Sequence, residues 1–187
     1  MRISKTAMDG LYTLNGNFHE DLRGKFFKFF DSTDFEQHNL ETSFKEVFVS
    51  TSKKNTIRGM HFQIPPHDQV KLVTVTQGKI LDLVLDLRNW SPTHGKYECF
   101  TLSDSEPTTL YIAKGLAHGF LALSDNSTVC YIVSEVYNKN SDSGIRWDSF
   151  GYDWKVDSPI LSERDRNFPS FAEFKSPFNY TNSIQEV

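Results

Sequence analysis

The feature that most restricts the fold is a pair of period-two runs in mid-chain, Lys71-Leu72-Val73-Thr74-Val75-Thr76 and Ile80-Leu81-Asp82-Leu83-Val84-Leu85-Asp86-Leu87, parted by Gln77-Gly78-Lys79. Alternation of this kind marks strands, and the glycine between the runs predicts a hairpin. Further runs follow at short spacing: Tyr97 to Leu102, Thr109 to Ile112, Gly119 to Leu123 and Thr128 to Val136. Turn clusters such as Ser103-Asp104-Ser105-Glu106-Pro107 and Ser124-Asp125-Asn126-Ser127 separate them. Many short strands with regular turns predict an all-β sandwich or barrel of the jelly-roll type.

Helical signal is sparse. Asp31 to Leu40 predicts one short helix capped by Asp31 or Ser32, and a helical turn is expected near Ser162 to Arg166. The stretch from Asp157 to Val187 carries Pro159, Pro169 and Pro177 and reads as a loop-and-turn wrap, with a disordered tail from about residue 175. At 187 residues the chain suits one domain spanning 1–187.

Composition then excludes several classes of function. With 20 basic against 24 acidic side chains and no Lys/Arg stripe, nucleic acid is not the expected partner. No apolar run approaches the roughly 20 residues that span a bilayer, and no apolar stretch follows Met1-Arg2-Ile3-Ser4-Lys5, so a cytoplasmic protein with no membrane partner is expected. Cys99 and Cys130 cannot form a disulfide framework or a zinc knuckle, and both fall in strand-like runs where packing is the simpler role.

The six histidines are the first candidates for chemistry, because imidazole titrates near neutral pH. His61, in Arg58-Gly59-Met60-His61-Phe62-Gln63, reads either as a base at a strand entering a cavity or as an ordinary packed histidine. His118, in Gly115-Leu116-Ala117-His118-Gly119-Phe120, is a site residue or a turn histidine bonded to backbone. Gln63 stands where a metal-binding His-x-His would need its second imidazole, and the other histidines lack ligand spacing, so neither metal nor cofactor is expected. Arg23 and Arg58 each precede a glycine, which suits a fork for phosphate oxygens but also describes a solvated surface arginine. Lys71 could stabilise an oxyanion if half-buried, and Asp165 could be a plain turn residue.

Taken together, these segments resemble the dTDP-4-dehydrorhamnose 3,5-epimerase family, metal-free cupin-like enzymes acting on nucleotide-linked 4-keto-6-deoxyhexoses. The resemblance runs from about residue 15 to 170 through Asp21-Leu22-Arg23-Gly24-Lys25-Phe26, Arg58-Gly59-Met60-His61-Phe62-Gln63, Val70-Lys71-Leu72-Val73, Asp86-Leu87-Arg88 with Ser91-Pro92-Thr93, Gly115-Leu116-Ala117-His118-Gly119-Phe120 and Ile160-Leu161-Ser162-Glu163-Arg164-Asp165. It implies that His61 is the general base, oriented by Asp165, that Lys71 meets the oxyanion with His118 assisting, and that Tyr131 delivers a proton from the other face. It also implies that Arg23 and Arg58 clamp the diphosphate, that Tyr137 stacks on the base, and that Lys28, Phe48, Asp142 and Arg164 belong to the substrate site. A homodimer with exchanged amino-terminal strands is implied too, Phe26 reaching the partner's base pocket. The chain departs from the family at three places: Lys28 replaces a glutamate, Glu46-Val47-Phe48 replaces a Gln-Asp-Asn stretch, and Asp142 stands where the family often has another acid. A carboxylate at Glu46 would accept from an amino group such as cytosine N4, which makes a CDP-linked sugar an alternative substrate unless Glu46 pairs with Lys28 instead. The expected activity is inversion at both C3 and C5. The alternatives are inversion at one carbon of a dTDP, CDP or GDP sugar, or a non-catalytic sugar-nucleotide-binding scaffold.

Overall fold

The two central runs do become strands, but they part company at the glycine between them. The computed structural model of the chain describes residues 1–16 and 18–181. In chain order the elements are β1 (Arg2–Lys5), β2 (Leu11–Asn15), β3 (Phe18–Asp21), β4 (Gly24–Phe27), α1 (Ser32–Gln37), β5 (Glu46–Ser52), β6 (Ile57–Gln63), β7 (Lys71–Gln77), β8 (Lys79–Asp86), β9 (Tyr97–Ser103), β10 (Thr109–Ile112), β11 (Leu116–Ala122), β12 (Ser127–Val133), β13 (Asp142–Gly144) and α2 (Glu163–Arg166). A six-stranded antiparallel sheet, β1-β2-β10-β7-β12-β5, faces a five-stranded one, β13-β6-β11-β8-β9. This is the expected jelly-roll arrangement, with β3 and β4 set apart as a small hairpin.

The hairpin expected across Gln77-Gly78-Lys79 is therefore corrected to a corner between sheets: β7 pairs with β10 and β12, while β8 pairs with β11 and β9. Gly78 turns the corner at φ +78, where a Cβ would stand 2.6 Å from Ser124 Oγ, so the crossing admits no side chain. The interior of the sandwich is filled from both sheets by residues such as Val73, Val75, Val129, Val84, Leu116 and Phe120. The outer face of the five-stranded sheet is covered by the carboxy-terminal wrap, which lays Ile145, Phe150, Trp154 and Phe178 over Ile57, Met60, Leu83 and Leu85. The outer face of the six-stranded sheet is covered by α1, whose Phe35 packs on Tyr111 and Leu72. Asp31 caps α1 by accepting from the Thr33 amide at 3.1 Å.

The disordered tail expected from about residue 175 is corrected as far as residue 181, which the structure places. Phe178 is buried, Asn89 donates to its carbonyl at 2.9 Å, and Tyr180 donates back to Asn89 O at 3.0 Å. The rest of that expectation falls on residues 182–187, outside the described residues.

Candidate active site

Between the two sheets opens a cavity of about 350 Å³. Its walls are Glu46, Phe48 and Ser50 of β5, Arg58, His61, Phe62 and Gln63 of β6, Lys71 of β7, His118 of β11, Tyr131 and Val133 of β12, and Gln69, Tyr137, Asp142 and Arg164. Arg58 and His61 are three residues apart, which in a regular strand would put them on opposite faces. A register shift between β6 and β11 removes that difficulty: His118 opposes His61, yet Phe120 opposes Arg58, so both β6 side chains enter the cavity. Gly59 makes the shift possible at φ +144, where a Cβ would lie 2.4 Å from Gly119 Cα; the two strands touch backbone to backbone there.

The same glycine helps to hold the first histidine–carboxylate pair. His61 Nε2 lies 2.8 Å from Asp165 Oδ1, and the Gly59 amide donates to Asp165 Oδ2 at 3.3 Å. Asp165 comes from a remote part of the chain, drawn in because Ile160 runs beside β6, with Ile57 N donating to Ile160 O at 3.0 Å. Ser162 then caps α2 by accepting from the Asp165 amide at 3.0 Å, which sets the carboxylate against His61. Burial pushes the Asp165 carboxyl up, but His61, Gly59 and Ser162 outweigh it and hold it below its ordinary value. Burial pushes the His61 imidazole down, with Asp165 pulling against it. An ionised Asp165 accepting Nε2–H leaves His61 neutral with the Nδ1 lone pair free, the state a general base needs.

The opposite sheet supplies the other groups. Lys71 is buried with its ammonium donating to His61 O at 3.2 Å, and burial lowers its pKa to about 8, Asp142 opposing. Tyr131 is buried against Phe48 with stacked rings 4.7 Å apart and edge-on to His118 at 5.9 Å; burial pushes its hydroxyl well above the ordinary value, so it carries its proton. A second histidine–carboxylate pair lies nearby: His118 Nε2 is 2.7 Å from Asp82 Oδ2, both buried. At the mouth, Arg164 pairs with Asp142, and Tyr137 projects with 60% of its surface exposed. Arg58 donates to Ser52 Oγ at 3.0 Å.

Of the residues expected at a site, the structure brings together His61, Lys71, Tyr131, Arg58, His118, Tyr137, Asp142, Arg164, Glu46 and Phe48 around this cavity, with Asp165 behind His61. Three expected residues do not reach it within one chain. Arg23 pairs with Asp21 at 2.6 Å on the β3–β4 hairpin, Phe26 is exposed on the same hairpin, and Lys28 pairs with Asp31 at 3.1 Å. Lys28 is thus not the partner of Glu46, which instead accepts from the Tyr137 amide at 2.8 Å. Sequence reasoning missed Asp82, although a carboxylate inside an otherwise apolar strand was a signal. It also missed the structural role of Gln63, whose amide accepts from Asn138 N at 2.6 Å and donates to His67 O at 2.8 Å, tying down the loop that carries Tyr137.

The family model described as dTDP-4-dehydrorhamnose 3,5-epimerase matches residues 5–173. A dTDP-4-dehydrorhamnose 3,5-epimerase of Methanothermobacter thermautotrophicus is 40% identical, covering 92% of this chain and 95% of its own. A dTDP-4-dehydrorhamnose 3-epimerase of Streptomyces niveus is 32% identical, covering 92% of this chain and 85% of its own. Among solved structures, the dTDP-4-dehydrorhamnose 3,5-epimerase of Bacillus anthracis with TDP and PPi bound superposes with a TM-score of 0.87 at 37% identity, covering 90% of this chain and 98% of that one.

Proposed function

The chain belongs to the dTDP-4-dehydrorhamnose 3,5-epimerase family, and from that premise we propose how its cavity inverts C3 and C5 of a nucleotide-linked 4-keto-6-deoxyhexose. The observation that carries the reading is the placement of a base on one sheet and an acid on the other: His61 with Asp165 on β6, Tyr131 on β12, both facing one cavity. A C–H beside a ketone is acidified by enolate formation, so removal of its proton needs a neutral base and a cation at the developing oxyanion. His61 Nδ1 takes the proton. Lys71 meets the C4 oxyanion as its charge grows. Tyr131 returns a proton to the opposite face of the same carbon, which inverts it. Turning the ring so that the second carbon faces His61 repeats the cycle. The reaction moves protons only and calls for no cofactor.

Arg58 and Arg164 offer guanidinium groups to the diphosphate, and Tyr137 a ring for the base. The remaining pieces come from a second subunit. The β3–β4 hairpin exposes Phe18, Leu22 and Phe26, and β5 ends the six-stranded sheet with Val47 and Val49 exposed, so apolar surface and an unpaired strand edge await a partner. In a homodimer the partner hairpin would bring Arg23 and Phe26 over this cavity. Light scattering after gel filtration is expected to give twice the chain mass, and a monomer would remove this part of the reading.

The test of the activity is solvent exchange. Incubation in D2O with dTDP-linked and CDP-linked 4-keto-6-deoxyglucose, followed by NMR and mass spectrometry, is expected to place deuterium at both C3 and C5 of the dTDP sugar. Label at one carbon would make the protein a mono-epimerase like the Streptomyces niveus relative's name. Faster exchange on the CDP sugar would assign Glu46 to an amino-bearing base. No label with any 4-keto sugar would overturn the catalytic reading.

A further inference from the structure

Asp82 has no place in the steps above, yet it lies behind His118 in surroundings unlike those of the carboxylates that line the cavity. It is wholly buried on β8, with Oδ2 against His118 Nε2 and with Oδ1 lacking any hydrogen-bond donor among the described residues. The charged and titratable groups nearby are otherwise engaged. Arg58 of β6 is bonded to Ser52 and Thr51, Lys71 of β7 to His61 O, and His61 to Asp165. On β9, Glu98 accepts from Thr6 at 2.9 Å, and on β8 itself Asp86 is held by Arg88 at 2.7 Å. Tyr131 of β12 meets the His118 ring edge-on and also faces Asp82, which helps burial to push the tyrosine hydroxyl up.

A buried carboxylate with one orphan oxygen is a poor place for a net negative charge. Burial accordingly pushes the Asp82 carboxyl up, with His118 opposing. The charge disappears if the pair holds one proton more than a carboxylate beside a neutral imidazole. That proton can sit in two places: on Asp82, which then donates to Nε2, or on His118, which then donates from Nε2. In both forms His118 Nδ1 carries hydrogen. Only the anionic pair would leave Nδ1 as a lone pair. Nδ1 makes no bond to the described residues, and the ring lines the cavity beside Tyr131.

We propose that Asp82 is a positioning residue which keeps a proton on His118 Nδ1, so that this nitrogen is a standing hydrogen-bond donor to a sugar oxygen beside the reacting carbon. The inference rests on the epimerase reading of the cavity. A fixed donor stabilises an enolate or alkoxide oxygen as charge develops, whereas a lone pair at the same point would repel it. Asp82 touches no substrate and acts through His118 alone. The diphosphate and base are held by other residues, so nucleotide affinity is independent of it.

The test uses the full chain labelled with ¹⁵N-histidine, with the His118 ring identified by its absence from the His118→Asn variant. In the unsubstituted protein at pH 7 the ¹⁵N spectrum is expected to show Nδ1 protonated. Asp82→Asn, whose amide can donate to Nε2 as the protonated carboxyl does, is expected to keep that proton. Asp82→Leu gives Nε2 no partner; it is expected to leave Nδ1 no longer fixed as a donor and to lower kcat roughly 10- to 100-fold, with dTDP affinity changed less than twofold. The double variant Asp82→Leu with His118→Asn offers an amide N–H near the Nδ1 position without a carboxylate's help, and is expected to turn over faster than Asp82→Leu alone. An unprotonated Nδ1 in the unsubstituted protein would overturn the proposal. So would an Asp82→Leu protein that keeps Nδ1 fully protonated, whatever its turnover, or a double variant no faster than the single one. If no 4-keto sugar exchanged deuterium, the epimerase reading would fail while the spectrum still decided where the proton sits.

Discussion

His61 with Asp165 and His118 with Asp82 are built from the same two residue types on neighbouring strands of one sheet, at 2.8 and 2.7 Å, and they are held in opposite ways. Asp165 has a backbone amide on its second oxygen, a serine at its helix start and Arg164 within 3.6 Å, and its carboxyl is pulled below the ordinary range. Asp82 has an orphan oxygen and apolar surroundings, and its carboxyl is pushed above that range. The first arrangement keeps the anion and leaves the imidazole able to take a proton. The second keeps the proton and leaves the imidazole able to donate. Residue identity selects the chemistry available, and the second oxygen of each carboxylate selects the direction in which the proton moves.

Removing the base breaks the comparison outright. His61→Ala is expected to abolish deuterium exchange at both carbons, a loss of roughly 10³-fold or more in kcat, while dTDP binding measured by calorimetry stays within a few-fold. Next in size is Asp165→Asn, which makes the first pair resemble the second by taking away its charge. The neutral amide no longer stabilises the imidazolium that forms as His61 accepts the proton, and kcat is expected to fall roughly 10²- to 10³-fold, less than for loss of the base itself.

Tyr131→Phe sharpens the division between the sheets. The base remains and the opposing acid is gone, so deuterium should still enter the substrate while formation of inverted product falls roughly 10²-fold. Equal loss of exchange and inversion would contradict the assignment of the acid to β12.

The smallest effect is the one read from pH. The free-enzyme profile of kcat/KM reports groups in the empty cavity. His61 must be neutral, and its lowered pKa keeps it so below the ordinary imidazole range, which moves the acid limb below about 6.5. Lys71 must be charged, and that charge is lost as pH rises through about 8. An alkaline limb near 8 that disappears in Lys71→Met, along with most of the rate, would confirm the lysine as the oxyanion partner; a limb unchanged in that variant would reassign it.

Much of this was legible in the linear chain. Period-two alternation located β7, β8, β9, β10 and β12 closely, because a strand between two packed layers must alternate or be apolar throughout. Asp31 and Ser162 announced both short helices, because an exposed helix start needs a side-chain acceptor for its free amides. The resemblance placed His61, Lys71, Tyr131 and Asp165 at one site, although 104 residues separate the two members of the His61–Asp165 pair. Other features left no local mark. Gln77-Gly78-Lys79 looks the same whether it closes a hairpin or turns a corner between sheets, since both need a left-handed glycine. The expected position of Phe26 assumed a second subunit, whereas Arg23 and Lys28 were expected at the site without one, and within one chain all three stand away from the cavity.

The linear chain carried the architecture in its hydrophobic period, and the cast of the reaction through its resemblance to the family, since local spacing alone pointed only to a pocket-bearing β-domain. What tertiary structure decided is what each member of that cast can do. The bulge at Gly59 puts Arg58 and His61 on one face despite their spacing, and the contact with Gly119 holds it there. The second oxygen of Asp165 meets the Gly59 amide of β6, with α2 setting the carboxylate in place, while Oδ1 of Asp82 meets no donor among the described residues. Proton affinity depends on every dipole and charge within a few ångströms, and that neighbourhood exists only when strands distant in the chain have come together.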